Sequence, residues 1–192
     1  SCKRFVISFN GEIYNFKNLD LLLNNKDLNS DTKVLIELIS KFGVTSALKK
    51  LQGMYSISIF DKKNNYLYLA RDFFGKKPLY YFHDQEQIFF SSTLLPIIKN
   101  SYIKKIIDPD SLSYYFTYGF CPTEKSIFKN IKKVKPNSYL KFDLNSWILS
   151  ESKIHQKTNN LINDTKFELS KIENLIRDSV KKRLISDVPV SL

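Results

Sequence analysis

Asn10, Gly11 and Glu12 are three residues that apolar packing does not call for, and they directly follow a short apolar run, FVISF. Asn carries two amide donors, and a glycine leaves its backbone N–H open to close approach by a ligand. Two donors converging on one point can stabilise a developing oxyanion, the electrostatic half of acyl-transfer chemistry. Glu12 beside them supplies a carboxylate able to hold a cationic group such as a substrate amine. The same tripeptide also reads as a plain turn, because Asn-Gly is the commonest hairpin dipeptide. From these residues alone both readings stand. The other reactive side chains form no such group. Cys2, Cys121, His83 and His155 show no CxxC and no metal-like spacing, so no metal site is expected.

The elements that must position these residues follow from hydrophobic periodicity. Residues 5–9 read as a buried strand that ends at Asn10. Residues 16–24 have helical spacing, and Ser30-Asp31 precedes a second helical run, VLIELISKFG, with Gly43 as its stop. Asp31 there suits a helix cap or a first-turn acid, worth up to ~1 kcal/mol through the helix dipole. Residues 44–51 form a short helix before Gly53. Residues 54–61 alternate as a strand, 62–65 make a polar turn, and 66–71 return as a strand. Arg71-Asp72 is expected to form a buried salt bridge that fixes the following turn, with Gly75 and Pro78 shaping the backbone. Further strands are expected over 88–91, 126–136 and 138–143, and a helix opened by Asp-Pro-Asp over 108–116. Residues 151–165 are polar and rich in Asn and Lys, as an interdomain linker would be, and 166–184 regain helical periodicity.

A chain of 192 residues can bury a real core and has room for one domain or one and a half. Hydrophobic residues at 43% and charged residues at 26% describe an ordinary globular protein and exclude a disordered one. No apolar run approaches the ~20 residues of a membrane span. The formal charge of +11 permits nonspecific contact with nucleic acid. The lysines are scattered, however, so a solvated basic surface is expected, with no nucleic-acid or membrane partner. Two cysteines make no disulfide framework, which fits the cytoplasm. The chain begins at Ser1, inside what reads as a strand, and the expectation is an N-terminal truncation with Cys2 as a strand residue.

FNGEIYNF, SDTKVLIELISKFG, LQGMYSISIFD, YLARDFFGKKPLYY and FSS occur in one order with short gaps. The series resembles the glutaminase domain of glutamine-hydrolysing asparagine synthetases, which are class II, N-terminal-nucleophile amidotransferases. The resemblance runs from about Arg4 to the last residue. It implies an α/β fold, the αββα sandwich of N-terminal-nucleophile hydrolases, over residues 1–150. A linker over 151–165 and the first helix of an adenine-nucleotide hydrolase-like synthetase domain over 166–192 would follow. It implies Asn10 and Gly11 as the oxyanion hole, with Glu12 and Asp31 gripping the α-amino group of glutamine. Arg71, Asp72 and Gly75 are structural in this reading.

The resemblance also implies what the chain lacks. The family's nucleophile is an N-terminal Cys followed by Gly, well upstream of the NGE motif; here Lys3 follows Cys2, and only residues 3–9 separate Cys2 from Asn10. The nucleophile and the arginine for the α-carboxylate are therefore expected outside this chain, which alone would be inactive. Thr93 stands where the family usually has Glu. SDVPVSL resembles the lead into a pyrophosphate-binding loop past Leu192, so ATP and Mg²⁺ are expected only in the longer protein. Glutamine, aspartate and ATP would be its small-molecule partners and a homodimer its assembly. A homologue amidating a β-lactam, sugar or peptide, and a non-catalytic scaffold, are the alternatives.

Overall fold

The computed structural model describes residues 3–23, 30–122, 124–156 and 169–184. Strand β1 (Phe5–Ile13) turns Phe5, Ile7, Phe9 and Ile13 to one side, where Phe5 and Ile13 are buried. Its expected end at Asn10 is corrected. Asn10, Gly11 and Glu12 lie within the strand, opposite Ser56, Tyr55 and Met54, so cross-strand pairing takes the backbone that a hairpin turn would have bent. Helices α1 (Phe16–Leu23), α2 (Asp31–Phe42) and α3 (Val44–Leu48) follow. Gly43 ends α2 with φ 78°, its N–H donating to Ile39 O at 2.9 Å.

Strands β2 (Gly53–Asp61) and β3 (Tyr66–Arg71) form a hairpin whose turn puts Asn65 at φ 56°. A second hairpin joins β4 (Tyr80–His83) and β5 (Ile88–Ser91), where the Asp84 carboxylate accepts the N–H groups of Glu86 and Gln87. Helices α4 (Leu94–Ile98) and α5 (Pro109–Tyr118) come next, α5 with its proline in the first turn. The strand expected over 126–136 shrinks to β6 (Lys132–Lys133). The Ser126 hydroxyl donates to the carbonyls of Phe128 and Ile131, curling the segment back on itself. Then come β7 (Ser138–Asp143), β8 (Ile148–Lys153) and helix α6 (Leu169–Arg183). The linker expected from Glu151 starts inside β8, and Ile154 is buried with the core beneath α2. Residues 157–168, Cys2 and the SDVPVSL segment lie outside the described residues.

The strands make two antiparallel sheets, one in the order β1-β2-β3-β7-β8 and one in the order β5-β4-β6. Three apolar layers set their stacking. One joins α1, α2 and α3 to the five-stranded sheet through Val34, Leu35, Leu38, Ile39, Ile57 and Ile59. A second lies between the sheets, where Leu67, Leu69, Leu140 and Phe142 meet Leu79, Tyr81 and Val134. The third packs Phe82 of the smaller sheet on Ile97 of α4. The result is a helix–sheet–sheet–helix sandwich.

Arg71 and Asp72 anchor the crossing from one sheet to the other, but not as the expected ion pair. Arg71 donates to the carbonyls of Lys77 (2.8 Å), Val134 (2.9 Å) and Gly75 (2.6 Å). Asp72 accepts four backbone N–H groups, from Tyr55 (3.2 Å), Phe74 (3.1 Å), Lys76 (3.0 Å) and Lys77 (3.0 Å). Each buried side chain is used up on backbone groups that would otherwise be unsatisfied. Gly75 is required at φ 65°, since a Cβ would stand 2.8 Å from Pro136 Cγ and 3.0 Å from Arg71 Cζ.

A separate pair staples the start of β1 to the end of β2. Arg4 donates to both oxygens of Asp61, at 2.8 and 2.6 Å, and Asn64 and the Lys63 N–H add to the same carboxylate. The Arg4 hydrogen bonds hold the Asp61 carboxyl below its ordinary value of 3.8, outweighing the opposing effect of burial. A depressed value favours the charged form, so its stabilisation is complete above that ordinary value and is lost as pH falls through the depressed one. Asp61→Asn should therefore melt below the parent at about pH 7 and converge with it as the pH falls through the depressed value, and a gap constant across a pH series of thermal melts would refute this linkage.

Candidate functional site

The layer between the sheets changes character towards β1. Under β3 and β7 it is filled by Leu67, Leu69, Leu140 and Phe142. Under β2 and β1 the equivalent inward positions are Ser58 and Ser56, then Ser8 and Asn10. These line a cleft of about 210 Å³ with Leu79, Phe90, Ser91 and Ser92. Ser56 and Ser58 are buried, yet neither hydroxyl has a hydrogen-bond partner among the described residues. Neither hydroxyl oxygen is among the buried polar atoms left without a partner, so both open onto the cleft, where water or a ligand can reach them. Sequence reasoning did not single out these serines. The available signal was Ser at alternating positions in FVISFN and MYSISIFD, where a strand covered on both faces should carry apolar residues throughout.

The Asn10 side-chain amide faces this cleft and makes no hydrogen bond among the described residues. Its neighbour's backbone is open as well. Lys62 N–H donates to Arg4 O and Tyr14 N–H to Gln52 O, which makes the even residues of β1 the ones that exchange bonds with β2. The odd residues, Gly11 among them, point their N–H groups away from β2, off an edge that carries no other strand among the described residues. Gly11 cannot be replaced without strain: φ is 154° and a Cβ would stand 2.1 Å from Met54 O. Asn10 and Gly11 thus offer a free side-chain amide and an outward N–H from adjacent residues.

Ile13 is the next odd residue, and its outward N–H donates to Asp31 Oδ2 at 3.2 Å. Asp31 is in the first turn of α2, with Ser30 as the N-cap residue and no side-chain cap bond. Its contact runs sideways to β1, bringing the carboxylate to within one residue of Glu12. Glu12 is half-buried and makes no ion pair among the described residues. Neither carboxylate belongs to the wall of the serine-lined cleft. Cys121 lies elsewhere, its thiol donating to Ser111 O at 3.5 Å. Thr93 begins α4 beside Ser92 without capping it.

Tyr55, opposite Gly11, ties this edge to the Arg71–Asp72 hub. Its N–H donates to the Asp72 carboxylate, and its carbonyl accepts the Asp72 N–H at 3.0 Å. Burial, then the nearby Asp72 charge, pushes its phenol far above the ordinary range, so it stays neutral and packs in the core under the helices.

Residues 1–152 match the family described as "Glutamine amidotransferase domain". The chain belongs to the glutamine amidotransferase domain family. It is 36% identical over 196 residues to a Methanocaldococcus jannaschii protein provisionally named asparagine synthetase (glutamine-hydrolyzing) 2, covering 96% of this chain and 36% of that protein. Against asparagine synthetase (glutamine-hydrolyzing) 3 of Bacillus subtilis the identity is 31%, over 97% of this chain and 31% of the relative. The chain thus spans about a third of the length of these relatives. Among solved structures it resembles the glutamine phosphoribosylpyrophosphate amidotransferase of B. subtilis, with a TM-score of 0.53 at 18% identity, over 83% of this chain and 31% of that one. That likeness identifies the sandwich as the N-terminal-nucleophile amidotransferase fold.

Gly11→Ala is expected to destabilise the amidotransferase domain by about 3 kcal/mol or to displace β1 from β2, because its new methyl meets backbone and not a yielding side chain. Urea denaturation with the midpoint unchanged would show that the close approach of Met54 O is not a real constraint.

Proposed function

We propose that this chain is the larger part of the glutaminase unit of a cytoplasmic glutamine-hydrolysing asparagine synthetase, with α6 opening its synthetase domain. The observation that carries the reading is the free Asn10 amide beside the outward Gly11 N–H on the open edge of β1. In the longer protein a cysteine thiolate attacks the side-chain amide of glutamine. As the carbonyl carbon becomes tetrahedral, its oxygen gains charge and draws hydrogen bonds from Asn10 and Gly11. Each such donor is worth roughly 3 kcal/mol in the transition state. Strand pairing fixes the Gly11 N–H and the backbone that carries Asn10 before substrate arrives, so little backbone reorganisation opposes them.

Glu12 and Asp31 hold the α-amino group in this reading. The bonds from Ile13 N–H and the Thr32 hydroxyl leave Asp31 with acceptor capacity to spare. Ammonia leaves the glutaminase unit for the amidation of aspartate, which ATP and Mg²⁺ serve in a region after Leu192. That step takes none of the residues described. The amidotransferase unit extends through Ile154, which is buried in its core, and the linker follows it.

Asn10→Ala in the longer enzyme should lower glutaminase kcat by roughly 10²–10³ with little change in KM, because the bond forms mainly in the transition state. Asn10→Asp should be at least as damaging, since it sets a carboxylate against the oxyanion. An active Asp variant at equal folded fraction would sink the assignment. Asp31→Asn should raise KM for glutamine and leave ammonia-driven synthesis intact. A large fall in melting temperature with KM unchanged would give Asp31 a purely structural role between α2 and β1.

A further inference from the structure

Asn10 can serve an oxyanion only with its amide turned the right way. A primary amide carries an acceptor on one side and a donor on the other, nearly equal in shape, and its hydrogen-bond partners choose between the two orientations. Asn10 makes no hydrogen bond among the described residues, so the choice falls to the groups that face it across the cleft. Ser56 lies directly opposite Asn10 in the pairing of β1 with β2 and lines the same cleft. Directly opposed strand residues put their side chains on one face with Cβ atoms about 5 Å apart, within reach of a hydroxyl and an amide, or of the two bridged by one water. The other serines are worse placed. Ser8 and Ser58 form the next even-numbered pair on that face, about 7 Å from Asn10 by strand geometry. Ser91 and Ser92 belong to the opposite wall, and Ser91 Oγ already accepts the Thr93 N–H at 3.2 Å.

Two further features single out Ser56. Its side chain is buried, at 3% exposure, yet the hydroxyl opens onto the cleft and has no partner in its own strand. Its other direct neighbour on this face is Arg71, opposite it in β3, whose guanidinium donates to the carbonyls of Lys77, Val134 and Gly75. An arginine offers no acceptor, so the Ser56 hydroxyl hydrogen is left for Asn10. Direction follows from the same register. Ser56 stands on the β2 side of Asn10, and a hydroxyl donating from there to Asn10 Oδ1 turns Nδ2 the other way. That way is the open edge of β1, to which the Gly11 N–H also points.

We propose that Ser56 is the positioning residue for Asn10: its hydroxyl donates to Asn10 Oδ1, directly or through one water in the cleft, and so aims Nδ2 at the oxyanion. The inference rests on the glutaminase reading and adds to it the residue that orients its side-chain donor. The test is a double-mutant cycle in the longer enzyme, at equal folded fraction, with glutamate release followed against glutamine concentration. Ser56→Ala should lower kcat about three- to tenfold, the weight of one neutral hydrogen bond, and leave KM unchanged. In an Asn10→Ala background the same substitution should cost nothing more, because no amide remains to be aimed. A loss of equal size in both backgrounds would overturn the inference and make Ser56 a packing residue that acts independently of Asn10. A kcat unchanged by Ser56→Ala, where Asn10→Ala costs roughly 10²–10³, would overturn the positioning and leave the oxyanion assignment standing. Parental kcat in Asn10→Ala would remove the oxyanion assignment and this inference with it.

Discussion

The Asp72 carboxylate gathers four backbone N–H groups into one buried acceptor, and the rest of the domain depends on that convergence. Charge-assisted bonds of this kind are stronger than neutral ones. Here they hold together β2, through Tyr55, and the turn that carries the chain from the larger sheet to the smaller. Arg71 does the complementary work on carbonyls, reaching Val134 across the inter-sheet layer. A pair that had simply neutralised itself would have left seven backbone groups without these partners. Because Tyr55 lies opposite Gly11, the hub also braces the strand that carries Asn10 and Gly11.

The second organising feature is the graded composition between the sheets. Leucine and phenylalanine seal the layer where both sheets overlap, at β3, β7 and β4. Serine and asparagine replace them towards β1, leaving room and polar groups that open onto it. One continuous interface thus supplies rigidity at one end and a polar chamber at the other. The polar chamber thus adjoins a tightly packed apolar layer, the arrangement that holds a site's side chains in place.

Much of this was legible in the sequence, and the misses have physical causes. Residues 66–71, 88–91 and 138–143 read correctly as strands because alternation or apolar runs carried the signal, and the helix after Ser30 read correctly from its period and from Gly43. Asn10-Gly11 was ambiguous between a turn and a donor pair because local preference cannot see β2, some forty residues away, which claims that backbone. Strand β8, ILSESK, escaped because an exposed edge strand needs no alternating apolar face. The contact of Asp31 with Ile13 spans eighteen positions and leaves no local trace. Adjacency suggested an Arg71–Asp72 ion pair, whereas each residue serves separate backbone partners.

The two borders of the larger sheet are unlike each other. At β8 the outer strand is short and studded with Glu151, Lys153 and exposed serines, a rim that discourages another strand from joining. At β1 the rim is nine residues long, and its outward N–H groups at Phe5, Ile7 and Phe9 alternate with carbonyls that no described strand engages. Asp31 blunts it only at Ile13. Such a rim is a template. Until a strand settles there, growth of the sheet, and with it any tendency of the isolated chain to self-associate into fibrils or swapped pairs, is directed to this side alone.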